Sequence, residues 1–341
     1  MWRSVAGLSA AALLLTATIW AQDTRPDNSQ KDQKDQSVET FKVNVNVVNL
    51  FFNVKDNRGA LIPGLKKDDF DVLEDGKPQT IKYFTAETDQ PLTLGILLDT
   101  SASQERVLPM EKQVGAEFLR EVLRPKDLAF LISFDVNVDL LHDFTNQARE
   151  IARGMDDARI NTGGAGGGIP GLGGGPVPIS SPRGTLLYDA IYLASDEKLG
   201  KEVGRKAMII LTDGEDQGSK LKIKDAIEAA QKADSICYVL LIADRGFYGG
   251  GMGYSGDNQM KKLAQETGGR VIDVGRNEKK LKEAFDQIAQ ELRTQYSIGY
   301  TPSNNKKDGS FRKVEIKPHN NLKVQARTGY YAPLPGSDRG Q

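Results

Sequence analysis

The sequence predicts an α/β protein: a doubly wound, mostly parallel sheet inserted in or flanked by a β-sandwich-like domain. Three observations predict it. From residue 92 onward, continuous apolar runs of strand length alternate with amphipathic stretches of helical period, the pattern of a parallel sheet buried on both faces. Before residue 90 and after residue 293 the texture changes to short strands broken by turn residues. The 341 residues, 39% hydrophobic and 27% charged, provide for about two ordinary cores.

The chain opens with "MWRSVAGLSAAALLLTATIWAQ", in which Arg3 precedes an apolar run from Val5 to Trp20 and small residues end at Ala21. This reads as an export signal over residues 1–21, placing the mature protein in the periplasm or outside the cell. The alternative is an uncleaved anchor, since the run is nearly long enough to span a bilayer. Residues 22–37 are almost free of apolar side chains and read as a disordered linker.

Residues 38–89 form the first β-rich flank. "FKVNVNVVNLFFNVKD" alternates and then runs apolar, Pro63-Gly64 punctuates the middle, and Asp75-Gly76 turns between two strand signals. The α/β region spans 90–293, beginning with the strand "LTLGILLD" and the helix "QERVLPMEKQVGAEFLREVL". The strands "LAFLISF" and "VNVDLLHDF" and the helices "TNQAREIARGM" and "TLLYDAIYLASDEKL" follow. Then come strand "KAMIIL", helix "LKIKDAIEAAQKAD", strand "SICYVLLIA", helix "NQMKKLAQETG", strand "RVIDV" and helix "EKKLKEAFDQIAQELR". Residues 294–334 return to strands, and 335–341 are a tail. Each flank alone is marginal for a sheet fold. The economical arrangement pairs the two into one sandwich with the α/β unit inserted; the alternative is two separate small sheets leaning on that unit.

A formal net charge of −1 gives no global pull toward nucleic acid or an anionic membrane. Cys237 is the single cysteine, so no intrachain disulfide forms, and its apolar run makes it a packed thiol. The only histidines, His142 and His319, have no companions at zinc spacing or in a nucleophile relay. Catalysis is not expected, and no organic cofactor is implied.

The chemistry gathers at strand ends. "LTLGILLDTSASQ" runs a buried strand into Asp99, Ser101 and Ser103, three oxygen donors on one loop. At the carboxyl edge of a parallel sheet, that set suits a hard divalent cation, which takes about six oxygens. It equally suits a strand end that caps the following helix. Further donors come from "AMIILTDGEDQGS", whose strand ends in Thr212 and Asp213, and from "SSPRGTLLYDAI", which sets Thr185 at a helix start, to cap it or reach the metal.

With these three elements in this order, residues 90–293 resemble the von Willebrand factor type A domain, the fold of integrin inserted domains. Its metal-ion-dependent adhesion site follows DxSxS, a threonine and a strand-ending aspartate. The resemblance implies that Asp99, Ser101, Ser103, Thr185 and Asp213 bind a divalent cation, Mg2+ foremost, with Mn2+ or Ca2+ as alternatives. It further implies that an acidic residue of another protein or surface polymer completes the shell. The flanks, with "VLEDGKPQTIKYF", "QYSIGYTP" and "GYYAP", look like exported proteins of Acidobacteria that carry this domain. The expected function is therefore an exported, metal-dependent, adhesion-type binding module. The alternative is a structural component of an envelope or extracellular assembly in which the metal only stabilises the fold. Two glycine-rich loops, 163–175 and 246–256, are expected at the same edge. Phe247, Tyr248, Met252 and Tyr254 in the second are candidate partner contacts.

Overall fold

The computed structural model describes residues 47–87, 90–160, 184–242 and 256–335. The expected signal, linker, both glycine-rich loops and most of the tail lie outside these residues. Among the described residues no helix is long and apolar enough to cross a membrane.

The first flank supplies β1 (Val48–Lys55), β2 (Phe70–Glu74), β3 (Lys77–Gln79) and β4 (Ile81–Glu87). The last supplies β11 (Gln295–Tyr300), β12 (Phe311–Pro318), β13 (Lys323–Ala326) and β14 (Gly329–Tyr331). They interleave as two four-stranded sheets, β13-β1-β11-β4 and β14-β12-β2-β3, each drawing strands from both flanks. The inward residues Val48, Leu50, Phe52 and Val54 follow the period of two set by the pleat and share one core with Phe70, Val72, Tyr296, Ile298, Val314 and Ile316. Phe52 stacks on Tyr296 of its own sheet at 5.5 Å and meets Phe70 of the facing sheet edge-on at 5.2 Å. Glu87 of β4 lies opposite Gln295 of β11, so the chain leaves and re-enters the sandwich at neighbouring positions.

Between those positions lies the α/β unit. Its strands are β5 (Leu92–Asp99), β6 (Leu128–Phe134), β7 (Val138–Thr145), β8 (Arg205–Thr212), β9 (Ser235–Leu241) and β10 (Val271–Asp273), in sheet order β10-β9-β8-β5-β6-β7. All neighbours pair in parallel except β6 and β7. Only Asp135 to Asn137 separate these two, a connection too short for anything but a hairpin. The helices are α1 (Leu108–Val122), α2 (Ala148–Asp157), α3 (Leu187–Leu193), α4 (Ile223–Lys232), α5 (Gly256–Thr267) and α6 (Glu278–Arg293). Buried side chains of α1, α2 and α6 pack on one face of the sheet with Leu94, Ile96 and Leu98. Those of α3, α4 and α5 pack on the other with Leu97, Met208 and Ile210. The predicted helix at 185–199 is α-helical only to Leu193 and then continues as a π turn over Ala194–Lys198.

Glu291, near the end of α6, joins the two halves. Its buried carboxylate accepts Lys55 Nζ of β1 at 2.8 Å and Gln325 Nε2 of β13 at 3.1 Å, and forms an ion pair with Arg270, whose Nε lies 2.7 Å away. Cys237 is enclosed in β9, where burial pushes its thiol up to about 12. It is expected to react with a thiol reagent at pH 8 at least about a hundredfold more slowly in the native protein than in denaturant. Equal rates, measured by release of a chromogenic thiol, would contradict this burial.

Candidate metal site

Strand β5 sits between β8 and β6, and the chain turns from one side of it to the other, so the carboxyl ends of β5 and β8 flank the topological switch point. Asp99 ends β5, and Thr212 and Asp213 end β8, all three buried. Parallel pairing of Leu98 with Leu211 brings the two ends level.

Hydrogen bonds then thread the loops together. Ser101 N–H donates to Asp99 Oδ1 at 2.9 Å, and the Thr212 hydroxyl donates to Asp99 Oδ2 at 2.7 Å. The hydroxyls of Ser101 and Ser103 lie 3.1 Å apart, and Ser103 Oγ donates to Asp213 Oδ2 at 2.6 Å. Asp213 Oδ1 accepts Glu215 N–H at 3.1 Å, a turn made by Gly214 at φ 86°. That positive φ favours glycine, which explains the Asp-Gly pair. Neither Ser101, which precedes the 3₁₀ turn Ala102–Gln104, nor Val107, which precedes α1, caps a helix through its side chain. The capping alternative for the DTSAS loop is therefore not what its hydroxyls do.

Thr185 reaches the same edge by backbone bonds. Thr185 N–H donates to Gln217 O at 3.3 Å and Gln217 N–H returns to Thr185 O at 3.0 Å. Gly184 permits this approach, since a Cβ there would stand 2.8 Å from Gln217 O. The next residue, Leu186, donates its N–H to Asp135 O at 2.8 Å, while Asp135 Oδ2 accepts the Thr100 hydroxyl at 3.0 Å. Asp135 thus ties the loop after β5 to the loop before α3. Thr185 is buried but does not cap α3. The amides of Tyr188 and Asp189 are instead taken by Asp216 Oδ1 and Ser219 Oγ, all at 3.1 Å. Asp216 is half-buried and serves as this cap.

The electrostatics are those of buried acids held close together. Burial, then the neighbouring Asp213 carboxylate, push Asp99 up to about 7, against the hydrogen bonds from Ser101 and Thr212 that favour its charged form. Asp99 makes no ion pair among the described residues. Two carboxylates and two hydroxyls, all hard oxygens, converge with Ser101–Ser103 and Ser103–Asp213 separations of 3.1 and 2.6 Å. Oxygens at right angles about 2.1 Å from a small dication stand about 3.0 Å apart, so this donor set fits one. Among the described residues no three His, Cys, Asp or Glu side chains form a direct cage; the site is rich in hydroxyls instead.

The histidines lie elsewhere in bonding terms: His142 Nδ1 is 2.7 Å from Asp143 O, and His319 Nε2 is 3.1 Å from Asp71 Oδ2. Sequence reasoning missed a buried pair beside the motif, Gln104 and Glu111, both 0% exposed. The signal for Glu111 was available. It falls on the apolar stripe of α1 with Leu108, Gly115, Phe118 and Val122, where a carboxylate has no packing role.

No protein-family model matches the sequence, and no curated protein matches it. Solved structures do. Conserved hypothetical protein BatB from Bacteroides thetaiotaomicron is 20% identical over 59% of this chain and 97% of its own, with a TM-score of 0.41. The VWA domain of SpRpn10 is 12% identical over 58% of this chain and 95% of its own, with a TM-score of 0.40. Proximal thread matrix protein 1 from the mussel byssus, with a zinc-occupied MIDAS motif, is 15% identical over 60% of this chain and 48% of its own, with a TM-score of 0.42.

Proposed function

We propose that this chain is an exported, metal-dependent protein-binding module of adhesion type. The observation that carries the reading is the hydrogen-bonded run from Thr212 through Asp99, Ser101 and Ser103 to Asp213, which gathers hard oxygen donors at the switch point of the sheet. Asp99, Ser101, Ser103, Thr185 and Asp213 would hold a divalent cation, Mg2+ first among candidates. When bound, the cation supplies a Lewis-acidic position that an acidic side chain of a partner protein can occupy.

The chain's own residues set the terms of that contact. Thr212 and the Ser101 amide fix both oxygens of Asp99, leaving it oriented and not free to swing. The hydroxyl donors add no negative charge, which preserves attraction for an incoming carboxylate. Asp135 and Gln217 hold the Thr185 loop against the other two. Binding is the reading because the donors gathered here are carboxylate and hydroxyl oxygens suited to holding a hard cation.

Thermal unfolding of the metal-stripped protein tests this. Mg2+ or Mn2+ at about a hundred times its dissociation constant is expected to add roughly 2.7 kcal/mol, about 5 to 10 °C in melting temperature. Asp99→Ala is expected to remain folded and lose the shift. A wild-type protein whose melting ignores both cations would end the metal reading.

A further inference from the structure

Two buried polar side chains near the DxSxS loop, Gln104 and Glu111, fall outside the DxSxS, threonine and aspartate pattern. Glu111 stands in the first turn of α1, wholly enclosed, and neither carboxylate oxygen has a hydrogen-bond partner. It makes no ion pair among the described residues. Gln104, the residue after Ser103, is equally enclosed, and both its Oε1 and its Nε2 are unpartnered. Buried carboxylates and amides are almost always satisfied, because an unpaired one costs a large share of its hydration.

The direction of Glu111 follows from helix geometry. Side chains lean toward the N-terminus of their helix, so Glu111 points back at the 99–104 loop from which α1 is hung. The charges that act on it are Asp99 and Asp213. A core position would not be furnished with a third carboxylate facing two others. A cation with its waters resolves both oddities at once: it offsets the clustered charge, and its water offers donors to Glu111 and both a donor and an acceptor to Gln104. Glu111 would meet the cation through water and not as a direct ligand.

We infer that Glu111 and Gln104 form the inner wall of the metal site, Glu111 acting as a positioning residue that holds water on the cation from below. This rests on the metal reading above and extends it. With Glu111 and Gln104 enclosed and Ser103 half-buried, a partner's carboxylate would approach from the side of Ser103.

The test is calorimetric titration of Mn2+ into the metal-stripped wild type, Glu111→Gln and Asp99→Ala, with melting curves of each. Glu111→Gln keeps shape and removes charge. It is expected to melt several degrees higher than wild type without metal, and to bind Mn2+ about 10- to 100-fold more weakly. A purely structural Glu111 would change the metal-free melting alone. Wild-type affinity in Glu111→Gln, with binding absent in Asp99→Ala, would overturn the inference while leaving the metal site standing. No Mn2+ binding by the wild type would overturn both. If the amide prevents folding, Glu111→Met provides the same comparison.

Discussion

Glu74→Ala is expected to lower the unfolding free energy by about 3 to 5 kcal/mol, the usual loss when one partner leaves a buried ion pair. Glu74 is 2% exposed in the sandwich core. Its Oε2 accepts the hydroxyls of Tyr300 and Tyr330 at 2.8 and 2.9 Å, and its Oε1 lies 3.7 Å from Arg312 Nη1. Arg312, itself 2% exposed, spends its other donors on Asn304 O, Lys306 O, Asp308 Oδ1 and Ser310 Oγ. Removing the carboxylate strands two phenols in a dry core and takes the buried counter-charge from Arg312, which keeps Asp308. Glu74 belongs to the first flank and its three partners to the last, so the loss falls on the contact that closes the sandwich. Chemical denaturation should show it directly, with Glu74→Gln intermediate because it keeps an acceptor for the phenols. A loss below about 1 kcal/mol would mean that the network is not closed as described.

The metal-stripped protein is expected to lose stability as pH rises from 5 to 7, the reverse of the usual carboxylate effect. The folded-state value of Asp99 is raised from 3.8 to about 7, first by burial and then by Asp213. Between those limits the folded protein holds a proton that the unfolded chain has released, so stability falls with increasing pH and levels off above about 7. Each pH unit inside the window is worth about 1.4 kcal/mol, giving roughly 2 to 3 kcal/mol between pH 5 and 7. Burial pushes Glu111 up as well, so the informative quantity is the difference between wild type and Asp99→Asn. That difference should widen with pH in chelator and close when Mn2+ is added. Parallel pH profiles for the two proteins would show that Asp99 ionises freely.

The α/β order was legible because parallel strands are buried on both faces and so read as unbroken apolar runs, "LTLGILLD" and "SICYVLLI" being the clearest. Interleaving of the flanks was reachable from the shortage of core in either one, and the two mixed sheets are the form it takes. Asp99, Ser101, Ser103 and Asp213 announced themselves as polar residues at the ends of greasy strands, and the structure brings them within hydrogen-bonding reach of one another. Less legible was anything decided by a neighbour distant in sequence. The cap on α3 comes from Asp216 and Ser219, some thirty residues away, so the sequence left Thr185 open as a cap or a metal ligand. Asp135 reads as an ordinary turn former until its carboxylate meets Thr100. Glu111 is legible from its spacing on the apolar stripe of α1, but nothing in the sequence links it to the charge at Asp213.

The pairing of Glu87 with Gln295 sets an order of assembly. Strands β1 to β4 leave the ribosome roughly two hundred residues before β11, the strand on which β1 and β4 both pair. At about 5 to 20 residues per second, they wait tens of seconds with their edges unsatisfied. The α/β unit, whose strands are all contiguous within residues 92–273, can fold during that interval. Once it has, its closely spaced ends act as a clamp: they present β4 and the start of β11 to each other and remove most of the loop-closure entropy from the last step. The inserted unit thereby serves as the folding template for the domain that interrupts it, and nascent chains stalled before Gln295 are the species most exposed to edge-to-edge aggregation.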